Sequence, residues 1–313
     1  MLDVKIVGGQ VYDGFGSPPV QTDVGIKGAR IDELGDLSGA GAAMTISAGG
    51  LSVCPGFIDV HSHSDAYLLI EPSAQSKIHQ GVTTEIVGNC GASAAPRVGA
   101  YLMPSDWRDK KFPGSWSRVA EYRALLERAN PAVNAALLIG HNSIRAGVIG
   151  YEGRPAREDE IRAMENLLEQ AIEEGGAGFS TGLIYAPGMF AAPEEIIRLA
   201  RVAARHDKIY TSHMRSEGAR LLKALDETIG IGRQSGVRVE VSHLKTSGRK
   251  NWPLIDAALD RLAATEPRQA RVLECRYFGG LNEVDTALAL GISPRTARRD
   301  WDAARVWLAE SVG

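Results

Sequence analysis

Of the seven histidines and three cysteines in this chain, whose side chains bind borderline or soft metal ions, five recur in comparable settings. His61 and His63 follow the apolar run Phe57-Ile58-Asp59-Val60. Residues two apart on a strand project to one face, so both imidazoles reach a common point. Cys90 stands in Gly88-Asn89-Cys90-Gly91, where glycines let the backbone turn tightly and leave the thiol at a loop tip. His213 follows Ile209-Tyr210-Thr211-Ser212, and His243 follows Val239-Glu240-Val241-Ser242. Taken singly, each has an ordinary explanation: histidines decorating a strand end, or a thiol serving as a small buried hydrophobe. Together they share one placement, the C-terminal end of a run that reads as a parallel strand, which is the face where α/β barrels carry their sites. Imidazole nitrogen and thiolate are ligand types that zinc takes. A divalent ion held there lowers the pKa of bound water and polarises a carbonyl oxygen, which is metal-assisted hydrolysis. His79 and His206 fall in helix-like segments and read as surface, while His141 follows a strand end and is open between a supporting and an unrelated role.

The elements that must position these residues are legible as a change of rhythm. Residues 1–54 read as short strands with glycine turns, Val4 to Val7, Val11-Tyr12 and Val24 to Ile26, forming a small β domain. From Pro55 the pattern becomes strand, loop and helix, repeated, as in a parallel sheet. Strands are expected at Gly56 to Asp59, Thr83 to Val87, Asn134 to Ile139, Ala177 to Ser180, Lys208 to Thr211 and Val237 to Val241. Helices are expected at Glu121 to Arg128, at Pro193 to Arg205 and at Glu158 to Glu173, where Ile161, Met164, Leu168 and Ile172 form one stripe. The charged faces of these helices read as solvated surface. After Asn251 the strands stop: helices are expected at Ile255 to Ala264, from Pro267 to Phe278, at Leu281 to Leu290, and from Ser293-Pro294 to about Leu308, with Ser293 at the N-cap.

The runs Pro55-Gly56-Phe57-Ile58-Asp59-Val60-His61-Ser62-His63-Ser64-Asp65, Gly81-Val82-Thr83-Thr84-Glu85 with Gly88-Asn89-Cys90-Gly91, Thr211-Ser212-His213-Met214-Arg215 and Ser242-His243-Leu244-Lys245 resemble the N-acyl-D-amino-acid deacylases of the amidohydrolase superfamily. The resemblance covers residues 3–256. It implies a small β domain and a metal-bearing (β/α)8 barrel that hydrolyses the amide of an N-acylated D-amino acid. By position, His61, His63, Cys90, His213 and His243 resemble the ligands of one or two zinc ions, and Lys245 matches a lysine near the substrate carboxylate. The chain departs from that pattern after His243: no apolar strand ending in the family's catalytic Asp follows, so the general base is unknown, with Asp65 and Glu240 as candidates by sequence proximity. General-base help is worth about 10² to 10⁴ in rate, so impaired hydrolysis is expected. The barrel is then incomplete, with six βα units and open strand edges through which copies of the chain are expected to self-associate.

The tail resembles something else. Leu288-Ala289-Leu290-Gly291-Ile292-Ser293-Pro294-Arg295-Thr296-Ala297, followed by Arg298-Arg299-Asp300-Trp301, resembles region 4 of the extracytoplasmic-function sigma factors. A short helix, a glycine, an apolar residue, a serine cap and a longer helix independently make a helix-turn-helix. The resemblance implies duplex DNA as a partner through residues 281–309, with Arg295, Thr296, Arg298 and Arg299 toward bases and phosphates. The plainer alternative is a helical capping element with Leu290, Ile292, Trp301 and Trp307 as its core.

The sequence reading is therefore α/β: residues 1–54 a β domain, 55–256 an incomplete metal-dependent barrel, and 257–313 an all-α helix-turn-helix module. An inactive chimeric remnant is the further alternative. Composition is compatible with each: 313 residues, 44% hydrophobic, 23% charged and net charge −3 exclude a disordered chain and any global pull toward nucleic acid. No apolar run approaches the roughly 18 residues of a membrane span, and Met1 to Gly8 lacks a secretory signal. Three widely spaced cysteines, Cys54, Cys90 and Cys275, favour a reducing cytoplasm over a disulfide framework.

Overall fold

The computed structural model describes residues 1–15, 17–265 and 282–309, with the side chains of 263, 265 and 302–309 outside the described set. Two compact units divide the chain, Met1–Phe57 and Ile58–Gly313.

In the first unit, β1 (Leu2–Val11) pairs antiparallel with β2 (Val20–Lys27), which pairs with β3 (Arg30–Gly35). β4 (Ala42–Ser47) and the two-residue β5 (Ser52–Val53) lie parallel to β1. Val4 to Val7 and Val11 belong to one continuous strand rather than two. A register shift between Ile6 and Gly9 absorbs Gly8, at φ +75°, as a bulge held by a Gly8 N–H bond to Asp23 Oδ1 at 2.9 Å.

The second unit is built on six strands in the order β6 (Phe57–Asp59), β7 (Val82–Val87), β8 (Asn134–Gly140), β9 (Gly178–Gly182), β10 (Ile209–His213) and β11 (Arg238–Val241). The pairings of β7 through β11 are parallel, each strand beside its successor. Among the described residues β6 and β11 are each paired on one side only.

The crossovers carry α1 (Gln75–Ile78), α2 (Ser105–Arg108), α3 (Val119–Ala129), α4 (His141–Ile149), α5 (Glu158–Glu173), α6 (Pro193–Arg205) and α7 (Leu221–Ser235). On α5 the predicted stripe is the buried face: Met164 and Leu168 are fully enclosed, Ile161 and Ile172 nearly so. Burying each such side chain contributes about 1.5 to 3 kcal/mol. They meet Leu137, Ile139 and Phe179 from the sheet in one core with Ile196, Leu199 and Val202 of α6. The charged faces are knitted rather than simply solvated, since Arg198 of α6 bonds Glu158 and Glu165 of α5.

Beyond the sheet come α8 (Leu254–Thr265), α9 (Glu283–Leu290) and α10 (Pro294–Ala309). Gly291, at φ +64°, ends α9, and Ser293 Oγ accepts the Thr296 N–H at 3.1 Å, capping α10 as its sequence predicts. The helix expected from Pro267 to Phe278, with Cys275, lies outside the described residues. None of the described helices is long and apolar enough to cross a membrane.

Candidate metal centre

The C-terminal ends of β6, β7, β10 and β11 converge on a cavity of about 800 Å³. His61, His63, Cys90, His213, His243 and Lys245 all line it, so the structure brings together the five expected metal ligands and the expected substrate-binding lysine. Their donor atoms form two groups within 4.8 Å, His61 with His63 and Cys90, and Cys90 with His213 and His243. The thiol is the shared member: Cys90 Sγ lies 3.5 Å from His61 Nε2 and 3.7 Å from His243 Nε2.

Backbone geometry fixes that thiol. Gly88 (φ +78°), Cys90 (φ +54°) and Gly91 (φ +79°) all adopt left-handed conformations, strained for a cysteine and typical of functional sites. Glycine is obligatory beside it, because a Cβ on Gly88 would lie 2.1 Å from the Leu138 carbonyl oxygen. Ser180 on β9 clamps the turn, accepting the Gly91 N–H at 3.1 Å and donating to the Gly88 carbonyl at 2.5 Å. Sequence reasoning missed Ser180, which stood only as the last residue of an expected strand.

The site suits a cation. His61 Nδ1, both ring nitrogens of His213 and His243 Nδ1 are buried without a hydrogen-bond partner, which is costly unless something else engages them. Burial, then the neighbouring imidazoles His63 and His243, lowers the His61 pKa to about 4. Burial, then His243 and Lys245, lowers His213 to about 3. His63 and His243 are lowered as well, chiefly by burial. All four rings are thus neutral at pH 7, the form that ligates metals. Burial also pushes the Cys90 thiol up to about 12, opposed by Lys245, so the thiol is protonated until a cation displaces the proton.

Glu217, four residues after His213, is a second residue not found from sequence. Its Oε1 stands 3.3 Å from His213 Nε2, 3.2 Å from His243 Nδ1 and 3.5 Å from Lys245 Nζ, close to all three but aligned for a hydrogen bond with none of the rings. The i, i+4 spacing from His213 was its one sequence signal. Arg108, Tyr101, Tyr151 and Tyr185 are among the other residues that line the cavity.

The other histidines lie elsewhere. His141 is buried against Glu195 at 2.8 Å, which also pairs with Arg145, and does not line the cavity. His79 and His206 cap helix ends beside Gln75 and Glu169. Asp65 and Glu240 are buried and are not part of the lining, which places neither as the missing base. In the tail, Arg295, Arg298 and Arg299 are exposed and Thr296 is half-buried at the start of α10.

A family model of the ECF sigma factors matches residues 213–312, beginning at the end of β10 rather than at the helical tail. A D-aminoacylase of Alcaligenes xylosoxydans xylosoxydans is 42% identical over 268 residues, covering 83% of this chain and 55% of that protein. A solved D-aminoacylase structure, described for its binuclear metal center, superposes with a TM-score of 0.80 at 41% identity, covering 85% of this chain and 56% of that one. An N-acyl-D-glutamate deacylase of Bordetella bronchiseptica, solved with zinc and a phosphonate inhibitor, gives a TM-score of 0.79 at 32% identity, covering 96% of this chain and 69% of that one. The chain spans about half the length of the curated relatives it matches. With the parallel sheet, the histidine and cysteine donors at its strand ends and these likenesses in agreement, the chain belongs to the N-acyl-D-amino-acid deacylases of the amidohydrolase superfamily.

Proposed function

We propose that this chain holds one or two zinc ions through His61, His63, Cys90, His213 and His243 and binds an N-acylated D-amino acid for hydrolysis of its amide. The observation that carries the reading is the pair of three-donor groups sharing Cys90 in one cavity. Bound zinc supplies a polarised carbonyl oxygen and a water of lowered pKa. The chain's own residues do the rest. The depressed imidazoles stay neutral, and the Lys245 ammonium faces the substrate carboxylate.

The described lining of the cavity contains two cations, Arg108 and Lys245, and no carboxylate. In this reading the two cations favour an anionic substrate, and turnover is impaired because no counterpart of the family's catalytic Asp follows His243. The test is hydrolysis of N-acetyl-D-amino acids by the zinc-reconstituted chain, with His243→Ala as control and calorimetric binding in parallel. Slow turnover and binding, both lost in the control, are expected; absence of zinc uptake would refute the reading.

A second reading rests on the sigma-factor match and on the serine-capped α10. Residues 257–313 act as a DNA-binding module beside residues 1–54 and 55–256, with Arg295, Thr296, Arg298 and Arg299 toward duplex DNA through 281–309. Retardation of duplex DNA by the full chain, weakened by salt and by Arg298→Ala, is expected; unaltered mobility at low salt would remove it. The working compartment is the cytoplasm, where Cys54 and Cys90 remain free thiols. The one-sided edges of β6 and β11 favour self-association, which sedimentation at several concentrations tests.

A further inference from the structure

The exit of β6 reads His61-Ser62-His63-Ser64, and its two residue types face opposite ways. The histidines line the cavity, while both serines turn to the Glu85 carboxyl on β7. Ser62 Oγ donates to Glu85 Oε1 at 2.6 Å and Ser64 Oγ donates to the same oxygen at 2.8 Å. Lys77 Nζ stands 3.1 Å from that oxygen and also pairs with Asp59, whose other oxygen accepts the His61 N–H at 3.1 Å. Glu85 is fully enclosed, and its Oε2 has no hydrogen-bond partner.

A buried carboxyl in a central strand is a poor choice for packing, since an apolar residue of similar volume stabilises a core as well or better. This one has three donors converging on one oxygen, two of them from the residues on either side of His63. A hydroxyl bond from each flanking serine fixes the peptide planes between them, and with those fixed the alternation leaves both imidazoles on the cavity side. Cys90, His213 and His243 are held by other contacts, with Cys90 set by Ser180.

We infer that Glu85, supported by Lys77, is a positioning residue that aims His61 and His63 into the site, and that it governs metal affinity of the His61–His63–Cys90 group without governing the Cys90–His213–His243 group. The inference rests on the metal reading above and goes beyond it by assigning separate control to one half of the site.

The test uses Co²⁺ added to the metal-free full chain, followed by its visible absorption bands and by charge transfer from the Cys90 sulfur. In a His243→Ala background only the first group keeps its three donors; in a His61→Ala background only the second does. Glu85→Gln is expected to weaken Co²⁺ binding 10- to 100-fold in the first background, the range for loss of a group that orients a ligand, and to change it less than about twofold in the second. Ser62→Ala combined with Ser64→Ala removes both hydroxyls while keeping the Glu85 and Lys77 pair, and is expected to give the same one-sided loss. That double variant decides the matter should Glu85→Gln fail to fold. Equal losses in both backgrounds would reduce Glu85 to a general fold determinant, and no loss in either would also overturn the inference. Failure of the unmodified chain to bind Co²⁺ would instead refute the metal reading on which it rests.

Discussion

Replacing Ser180 by alanine removes one oxygen from a residue with no exposed surface, and the structure gives the cost. The hydroxyl accepts the Gly91 N–H and donates to the Gly88 carbonyl. Both groups flank Cys90, and neither has an obvious substitute partner in so enclosed a place. Leaving a buried backbone group unpaired costs about 1 to 3 kcal/mol, so two give roughly 2 to 6 kcal/mol. The left-handed Cys90 backbone, itself strained by about 1 to 3 kcal/mol, is then free to relax and carry the thiol out of line. Ser242 provides the internal control. It also sits at a strand exit, one residue before His243, and is 3% exposed, but its hydroxyl has no partner. Urea unfolding of the metal-free chain should show Ser180→Ala destabilised by the full amount and Ser242→Ala unchanged within about 0.5 kcal/mol or slightly stabilised. Charge transfer from sulfur to Co²⁺ should shift only in the first. Equal stability of the two variants would refute the claim that hydrogen bonding, rather than burial, holds the Cys90 turn.

Glu195→Ala leaves Arg145 and His141 buried without their shared carboxylate, and thermal or urea unfolding should register a loss of about 3 to 5 kcal/mol. Gly182→Ala would put a methyl group 2.0 Å from the Cys90 carbonyl oxygen, backbone against backbone, so a loss of about 3 kcal/mol or more and weakened Co²⁺ binding are expected together. Glu160 lies in the first turn of α5, accepting from Nη1 and Nη2 of Arg154 and from the Arg157 N–H. The Arg154 guanidinium, helped by that N–H against the effect of burial, holds its pKa down to about 2 against an ordinary 4.5. A carboxyl with a depressed folded pKa stabilises the fold above its unfolded pKa and loses that contribution as pH falls through the folded one. Glu160→Gln should therefore cost about 1 kcal/mol at pH 7, after solvent screening. The difference from the unmodified chain should shrink between pH 4.5 and 2, as measured by unfolding at each pH.

Much of the parallel sheet was legible because buried strands and amphipathic helices leave periodic patterns. α5 and α6 span the residues their apolar stripes and Pro193 predict, while the strands differ from expectation by one or two residues at their ends. The misses have definite causes. α7 was not expected; it contains Gly230 and Gly232, which weaken the helical signal, and a Cβ on Gly232 would lie 2.5 Å from Val239 Cγ2, so that glycine serves helix against strand packing inside a continuous helix. α4 begins at His141 directly after β8, and its polar opening residues His141, Asn142 and Ser143 are buried, so no amphipathic stripe separates it from the strand. Gly8 and Gly9 mark a bulge in β1, where a turn and a bulge leave the same glycine signature. The five donors were visible through their common place at strand ends. Ser180, Glu85 and Glu217 were not, because their partners are remote in sequence or, for Glu217, depend on how the β10 exit folds back.

These hidden residues bear on why a chain about half the length of its curated relatives can still assemble the donor set. Cys90 is held by Ser180 of β9 and crowded by Gly182 of the same strand. The Gly91 carbonyl is packed against Gly140 at the end of β8, so that even a methyl group there would lie 2.4 Å from it. Ser242 follows β11 and is tied by its N–H to the Ser212 carbonyl beside His213. These restraints run among the strands of this sheet, between neighbours at Gly91 with Gly140 and Ser242 with Ser212, and across β8 for Ser180 of β9 with the turn after β7. Proton transfer is a separate requirement: the described lining contains no carboxyl, while Glu217 stands directly behind His213, His243 and Lys245. Measuring metal uptake and turnover on one preparation distinguishes a preserved ligand set from a working hydrolase.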